Sequence, residues 1–367
     1  MKVQRLSLSG PDHQVAGVSW LLLDDNFLPV IPVQEFLSYL HNLERSPNTI
    51  RSYAHHLKLY WQYLTESQLD WSKVGLDELA AFVAWLRNPL PGIISLQPRL
   101  AKRSESTINT IVAVVSAFYD YQQRRGFATD LALYRSQSFP QRRYKDFLYH
   151  ISKSKPVTTR LIKLKVPKRL PKTLTNAQVQ QLLEACHNLR DRYLVSLLYQ
   201  TGMRVGQALG LRHSDIHSWD NLIRIVTRQN NLNQARAKTL QPYSIHVSPE
   251  LMSLYTRYLL DEFGDTDSDY VFVNLWEGAI GQPLHYESVI DLFHRLSKQT
   301  GLAVHPHMLR HTHATELFQN GWDAALVQKR LGHAQVQTTL NTYVHLTEAD
   351  LKKAYQIYLE RRAPRDE

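Results

Sequence analysis

Three short segments in the second half of the chain carry residue types suited to phosphodiester chemistry. They are 201–216 with Arg204, 305–318 with His307 and Arg310, and 331–345 with His333 and Tyr343. Arginine stays protonated, and its planar guanidinium donates paired hydrogen bonds to an anionic phosphate. Histidine exchanges protons near neutral pH, and a tyrosine can act as a nucleophile. These residue types are compatible with a site that binds a phosphodiester and attacks its phosphorus atom, although each segment taken alone fits a purely structural role.

The second of these segments is rich in histidine, which leaves a metal site as an alternative. His307 and Arg310 are three residues apart and would share a helix face, and His311 follows His307 by four. The segment lacks the glutamate of an HExxH motif, and its first carboxylate is Glu316. A metal-dependent nuclease would use the histidines at 305, 307, 311 and 313. Cleavage that survives EDTA and leaves a covalent protein–DNA adduct would exclude it.

Periodic hydrophobic residues predict the elements that must position these side chains. Apolar residues recur at helical spacing in 50–64, 75–87 and 105–124, and a capping box at 175–178 opens a second helical region. Alternating residues predict strands at 222–228, 243–247 and 270–273. The expected fold class is mainly α with a small antiparallel β-sheet. The expected divisions are an N-terminal arm (1–30), a helical domain (31–140), a basic linker (141–172) and a catalytic domain (173–367).

Positive charge is concentrated in the predicted linker. The formal net charge is +10, and 141–172 contain eleven Lys or Arg against a single acid, which accounts for the whole excess. Such a segment favours a polyanionic partner, and repulsion between like charges extends a chain. The expected DNA-binding residues are Arg142, Arg143, Lys145, Lys163, Lys165, Lys168 and Arg169.

Several function classes find no support in the sequence. The single cysteine, Cys186, excludes an intramolecular disulfide and a CxxC metal site. No apolar run of transmembrane length and no secretion signal is present, so we expect no membrane association and a cytoplasmic, nucleoid-associated protein. The absence of a GxxxxGK[ST] motif fits a reaction that needs no ATP.

The three segments together resemble the conserved boxes of the tyrosine recombinase (phage integrase) family. TGMRVGQALGLRHSDI resembles the first box, HMLRHTHATEL the second, with its HxxR core, and LGHAQVQTTLNTY the third, which ends in the nucleophile. SPNTIRSYAHHLKLY and ESTINTIVAVVSAFY resemble the core-binding (SAM-like) domain of the family. The resemblance covers 172–360 and, more weakly, 40–125.

The resemblance implies a role for each site residue. Arg204 and Arg310 would clamp the scissile phosphate, and Tyr343 would attack it. His307 would accept the tyrosine proton, and His333 would donate a hydrogen bond to a phosphate oxygen. The family also uses a lysine between two strands. Lys238 is the only lysine between 228 and 243 and is assigned by that position. No cofactor and no metal are implied.

Two departures from the family pattern concern the support of this site. Family members often have a carboxylate three residues after the first arginine, where this chain has Gln207. The spacing from His333 to Tyr343 is ten residues, where nine is common, and the segment after His333 must absorb the extra residue.

The resemblance further implies double-stranded DNA as partner and a homo-oligomer, a tetramer on two DNA sites. Residues 347–360 form an amphipathic pattern that could pack on a neighbouring subunit or on its own domain. The alternatives are a non-catalytic DNA-binding relative and a type IB topoisomerase. Integration or excision, transposition and chromosome-dimer resolution all use this chemistry. The amino-acid sequence of the boxes is most similar to that of the transposases of mobile elements.

Overall fold

The computed structural model describes residues 1–9, 15–88, 101–127, 134–137, 157–160, 162–167, 171–228, 230–237 and 241–332. The chain divides into two compact units, Met1–Lys168 and Arg169–Glu367. Each unit buries an apolar core of its own. Within the described ranges, no helix has both the length and the apolar character needed to traverse a bilayer.

In the part of the chain that the structure describes, the first unit begins with two paired antiparallel strands and four helices. Their bounds are β1 (Lys2–Ser9), β2 (Val15–Leu23), α1 (Ile31–Asn42), α2 (Pro47–Glu66), α3 (Leu76–Arg87) and α4 (Glu105–Arg124), with a 3-10 turn at Trp71–Lys73. Ser46 and Ser104 cap α2 and α4 by accepting hydrogen bonds from the backbone N–H three residues later. The apolar stripes predicted from the sequence form the core between these helices.

Part of the predicted linker packs on the first unit. Strand β4 (Val157–Arg160) pairs antiparallel with β3 (Tyr134–Gln137). Farther along, the Asn109 amide donates to the carbonyl of Leu164 (2.9 Å) and accepts from its N–H (2.8 Å). Ile162 and Leu164 lie against the core. Prolines and lysines predict an extended chain here, but the attachment depends on Asn109, a residue 55 positions away.

The second unit is helical around a small antiparallel sheet. Its elements are α5 (Asn176–Glu184), α6 (Leu189–Thr201), α7 (Val205–Ala208), β5 (Ile216–His217), β6 (Leu222–Ile225), β7 (Tyr243–His246), α8 (Pro249–Tyr258), α9 (Tyr286–Thr300), α10 (Pro306–Gln319) and α11 (Ala324–Leu331), with a π-helical turn at Leu259–Phe263. The sheet order is β5-β6-β7. The predicted fold class is confirmed.

The third strand of the sheet differs from the prediction. It is β5, whereas 270–273 forms only single bridges, Arg212 with Tyr270 and Val273 with Pro283. All four side chains of 270–273 are at most 5% exposed. The apolar run therefore reflects complete burial of a connecting segment, which the sequence pattern does not distinguish from a buried strand.

Candidate active site

Arg204 lies at the start of α7, directly after a tight turn. Gly202 ends α6 in the left-handed conformation (φ 63°), which glycine adopts without strain. The backbone N–H of Arg204 donates to Oε1 of Gln207 at 2.8 Å. Nη1 of Arg204 is buried and has no hydrogen-bond partner among the described residues. A buried guanidinium nitrogen without an acceptor is unfavourable, so this atom indicates an anionic ligand.

Arg310, on α10, brings the three predicted segments to one point. Its side chain is buried, with 1% of its surface exposed. Nη1 donates to the carbonyl oxygen of Gly202 (2.6 Å), and Nη2 donates to that of Leu331 (3.0 Å). One guanidinium therefore joins the end of α6 to the end of α11. The planar fork of arginine permits two such bonds in different directions.

His307 lies one turn before Arg310 and faces the same cluster of positive charge. Its ring contacts that of His311 edge to face, with centroids 4.5 Å apart. Although the residue is exposed, its pKa is lowered to about 4. Desolvation of the ring is the largest cause, and positive charge on His311, Arg310, His305 and Arg204 lowers the pKa in the same direction. At neutral pH the imidazole is therefore uncharged and able to accept a proton.

The end of α11 is held by a second cation, the half-buried Arg330. Its Nε donates to Nε2 of His313 (3.0 Å), Nη1 to the carbonyl of His246 (3.1 Å) and Nη2 to that of Gln200 (3.0 Å). Gly332 then terminates the helix in the left-handed conformation. The two residues expected to follow in the site, His333 and Tyr343, lie outside the described residues.

The connection between β6 and β7 is anchored beside Arg204. The Asn233 amide nitrogen donates to the carbonyls of Leu209 (3.0 Å) and Leu284 (2.8 Å). A Cβ on Gly206 would lie 2.6 Å from the carbonyl oxygen of Arg236, so only glycine permits this close approach. Lys238 itself lies outside the described residues, but the connection is fixed against α7 up to Ala237, which is buried.

The four histidines of the metal alternative do not form one cluster. His313 is buried and accepts a hydrogen bond from Arg330, whereas His307 contacts His311. Among the described residues, no group of three or more His, Cys, Asp or Glu side chains could hold a metal ion. The arrangement favours an anion site over a metal site.

The predicted DNA-binding residues fall partly within the described chain. Lys163 and Lys165 are exposed and alternate with the half-buried Ile162 and Leu164. The other predicted DNA-binding residues lie outside the described residues: Arg142, Arg143, Lys145, Lys168 and Arg169.

Two residues of the site were not found by sequence reasoning. Arg330 stands among the polar positions of α11, and nothing in its spacing distinguishes it from a surface residue. Tyr243 opens β7, and its hydroxyl accepts a hydrogen bond from Gln207 Nε2 at 3.0 Å. The signal that could have indicated Tyr243 is Gln207, which stands where family members often have a carboxylate, since a neutral amide requires a different hydrogen-bond partner.

Comparisons with known proteins connect this geometry to a family. The profile described as "Phage integrase family" matches residues 172–350, and "Phage integrase, N-terminal SAM-like domain" matches 33–126. The chain is 44% identical over 364 residues to "Transposase A from transposon Tn554" of Staphylococcus aureus, covering 99% of each chain. It is 28% identical to "Tyrosine recombinase XerD" of Halalkalibacterium halodurans, covering 88% of this chain and 95% of the relative.

Solved structures share the fold at low sequence identity. The Tn1549 transposon integrase, solved in complex with a circular intermediate DNA, superposes with a TM-score of 0.63 at 16% identity, covering 89% of this chain and 98% of the other. A lambda integrase dimer bound to a core site gives a TM-score of 0.56 at 16% identity, covering 84% and 96%.

Proposed function

Because the chain belongs to the phage integrase family of tyrosine recombinases, we propose that it is a site-specific DNA recombinase that cuts and rejoins DNA in the integration, excision or transposition of a mobile element. The observation that carries the proposal is that Arg310 joins the three boxes, while Nη1 of Arg204 in the first box is buried without a partner among the described residues. A relative that matches 99% of this chain, a transposase, supports the mobile-element role.

The proposed reaction begins with Tyr343 as nucleophile. A free tyrosine has a pKa of about 10, so only about one in a thousand is ionised at pH 7. His307, neutral at that pH, accepts the phenol proton while the tyrosine oxygen bonds to phosphorus. Arg204 and Arg310 donate hydrogen bonds to the phosphoryl oxygens as their negative charge grows.

The leaving group is the 5′ oxygen of the DNA, which departs as an alkoxide unless it is protonated. Lys238 donates that proton, and His333 donates a hydrogen bond to a non-bridging oxygen. The product is a 3′-phosphotyrosyl bond and a free 5′-hydroxyl. The bond between phosphorus and the 5′ oxygen breaks as the bond between phosphorus and Tyr343 forms, so one ester replaces another. Religation by a 5′-hydroxyl reverses the step: the hydroxyl proton passes to Lys238, and His307 returns its proton to the phenol.

Double-stranded DNA is the proposed partner, bound by a homotetramer on two sites in the cytoplasm. The solved relatives in complex with DNA support the first statement, and the exposed lysines at 163 and 165 supply part of the charge. We keep 31–140 as the core-binding domain, 141–172 as the basic linker and 173–367 as the catalytic domain, limits supported by the two matched ranges.

The test is a suicide substrate, a duplex nicked next to the cleavage site so that the short 5′ strand diffuses away. The parent chain should form a covalent adduct in the presence of EDTA, and Tyr343→Phe should form none. Tyr355→Phe is the matched control, since it is the nearest tyrosine after Tyr343. An adduct in Tyr343→Phe would overturn the assignment.

Lys238 has a separate test. Lys238→Ala should cleave an ordinary strand slowly. It should cleave rapidly a strand in which sulfur replaces the 5′ bridging oxygen, because a thiolate leaves without a proton. Equal slowing on both substrates would contradict the role of general acid.

A further inference from the structure

A partly buried tyrosine links two of the three segments that form the site. Tyr243 is the first residue of β7 and lies more than 30 positions from both Gln207 and Gly332. Burial raises its pKa, so the hydroxyl stays protonated at physiological pH, although Arg310, Arg204 and Arg330 lie close enough to oppose that rise. The hydroxyl is thus a neutral group within a pocket of guanidinium charges.

On one side, Tyr243 holds the turn that carries Arg204. Gln207 is 3% exposed, and its Oε1 accepts from the backbone N–H of Arg204 at 2.8 Å. Because an N–H can only donate, the amide orientation is fixed, and Nε2 must be the atom that faces Tyr243 Oη at 3.0 Å. The two bonds connect the phenol to the backbone of Arg204 through a single side chain.

On the other side, the same phenol packs on the end of α11. A Cβ on Gly332 would lie 2.7 Å from Oη and 2.8 Å from Cζ of Tyr243, so the ring occupies the space that any larger residue would need. Arg330 holds the opposite end of β7 through the carbonyl of His246. Strand β7 therefore contacts the helix end that directly precedes His333.

We propose that Tyr243 is a positioning residue for DNA strand cleavage, one that sets Arg204 through Gln207 and the start of the third box through Gly332. The inference rests on the recombinase function proposed above. Tyr243 does not touch the reacting atoms in this scheme. It keeps Arg204 and the end of α11, which precedes His333, at a fixed separation.

The identity of residue 207 follows from this arrangement. A carboxylate there would accept from the Arg204 N–H and from the Tyr243 hydroxyl, so it would keep both bonds. An alanine would remove both. Comparing Gln207→Glu with Gln207→Ala therefore shows whether cleavage depends on these two hydrogen bonds.

The experiment measures single-turnover adduct formation on the nicked duplex, together with DNA affinity and the unfolding temperature. Tyr243→Phe keeps the ring against Gly332 and loses the hydrogen bond. We expect cleavage to slow about 10- to 100-fold, since small misplacement of reacting groups has effects of this order, while DNA affinity stays at the parent value. Tyr255→Phe is the control, because it removes a hydroxyl that bonds to His213, outside the site.

A double-mutant cycle identifies the cause. In the Gln207→Ala background, Tyr243→Phe should add no further slowing, and Gln207→Glu should cleave within about threefold of the parent. Parent-like cleavage by Tyr243→Phe would overturn the inference, as would equal slowing by that substitution in both backgrounds. A parent chain that forms no adduct would instead overturn the proposed function.

Discussion

Arg310 differs from a surface arginine in both its burial and its partners. It is 1% exposed, and the carbonyls of Gly202 and Leu331 accept from its two terminal nitrogens. These contacts orient the guanidinium before any DNA arrives. Lysine carries the same charge but has a single nitrogen, so it cannot reach both carbonyls in the same geometry.

Arg310→Lys should therefore retain DNA binding and lose cleavage. We expect a rate about 10²–10³-fold lower, the order found when one preorganised donor is removed from an anion site. The unfolding temperature should also fall, because at least one buried carbonyl loses its donor. Arg257→Lys, an exposed position of α8, is the matched control and should behave as the parent in both measurements.

The lowered pKa of His313 predicts how the stability of the fold depends on pH. Desolvation, then the charges of Arg330 and Arg310, lower its pKa to about 3, and 7% of its surface is exposed. The unfolded chain binds a proton near pH 6.5 and the folded chain does not, so stability falls as the pH drops from about 6.5 towards 3. At pH 5 this group lowers the free energy of unfolding by about 2 kcal/mol.

Urea unfolding between pH 7 and pH 5 measures this effect. His313→Gln keeps an acceptor for Arg330 but cannot be protonated, so its unfolding free energy should change less over that interval than that of the parent. The exposed His294→Gln should keep the parent's dependence. An unchanged dependence in His313→Gln would contradict the assignment.

At the scale of elements, the close approach of Gly206 to Arg236 positions the connection that leads to Lys238. Gly206→Ala places a methyl group 2.6 Å from a backbone carbonyl, which has to move. We expect slower cleavage of an ordinary strand and substantial recovery on the strand with a 5′ bridging sulfur, because the displaced group is the proton donor. Gly75→Ala is the control, since its methyl would meet only the end of the Glu78 side chain.

Elements governed by local chemistry were predictable, and those governed by distant contacts were not. The capping box at Thr175 was expected and is present. The anchoring of the β6–β7 connection by Asn233 was not predicted, since its acceptors lie 24 and 51 positions away. The role of Arg330 was not predicted for the same reason, because helical spacing does not reveal its contacts with His246 and Gln200, which are 84 and 130 positions away.

At the scale of the whole molecule, the described part of the basic segment contains two kinds of side chain. Ile162 and Leu164 hold it on the first unit, and Lys163 and Lys165 extend into solvent. A lysine held in this way contacts phosphate with less loss of chain freedom than one on a free tether.

Replacing Lys163 and Lys165 together by Gln should lower the slope of log affinity against log salt by about 1.8, which is about 0.9 for each phosphate contact. Lys73→Gln with Lys298→Gln, two exposed positions elsewhere, removes the same charge and should leave the slope unchanged. Titrations at several salt concentrations measure it. Equal slopes in both double variants would show that the lysines at 163 and 165 do not contact the DNA backbone.

Nη1 of Arg204 is buried and has no hydrogen-bond partner among the described residues. An incoming phosphate can therefore accept a hydrogen bond from this nitrogen without displacing a carboxylate from it. The same property makes the empty protein receptive to small anions from the medium. Sulfate or inorganic phosphate should act as a competitive inhibitor of adduct formation, so the choice of buffer sets the apparent activity.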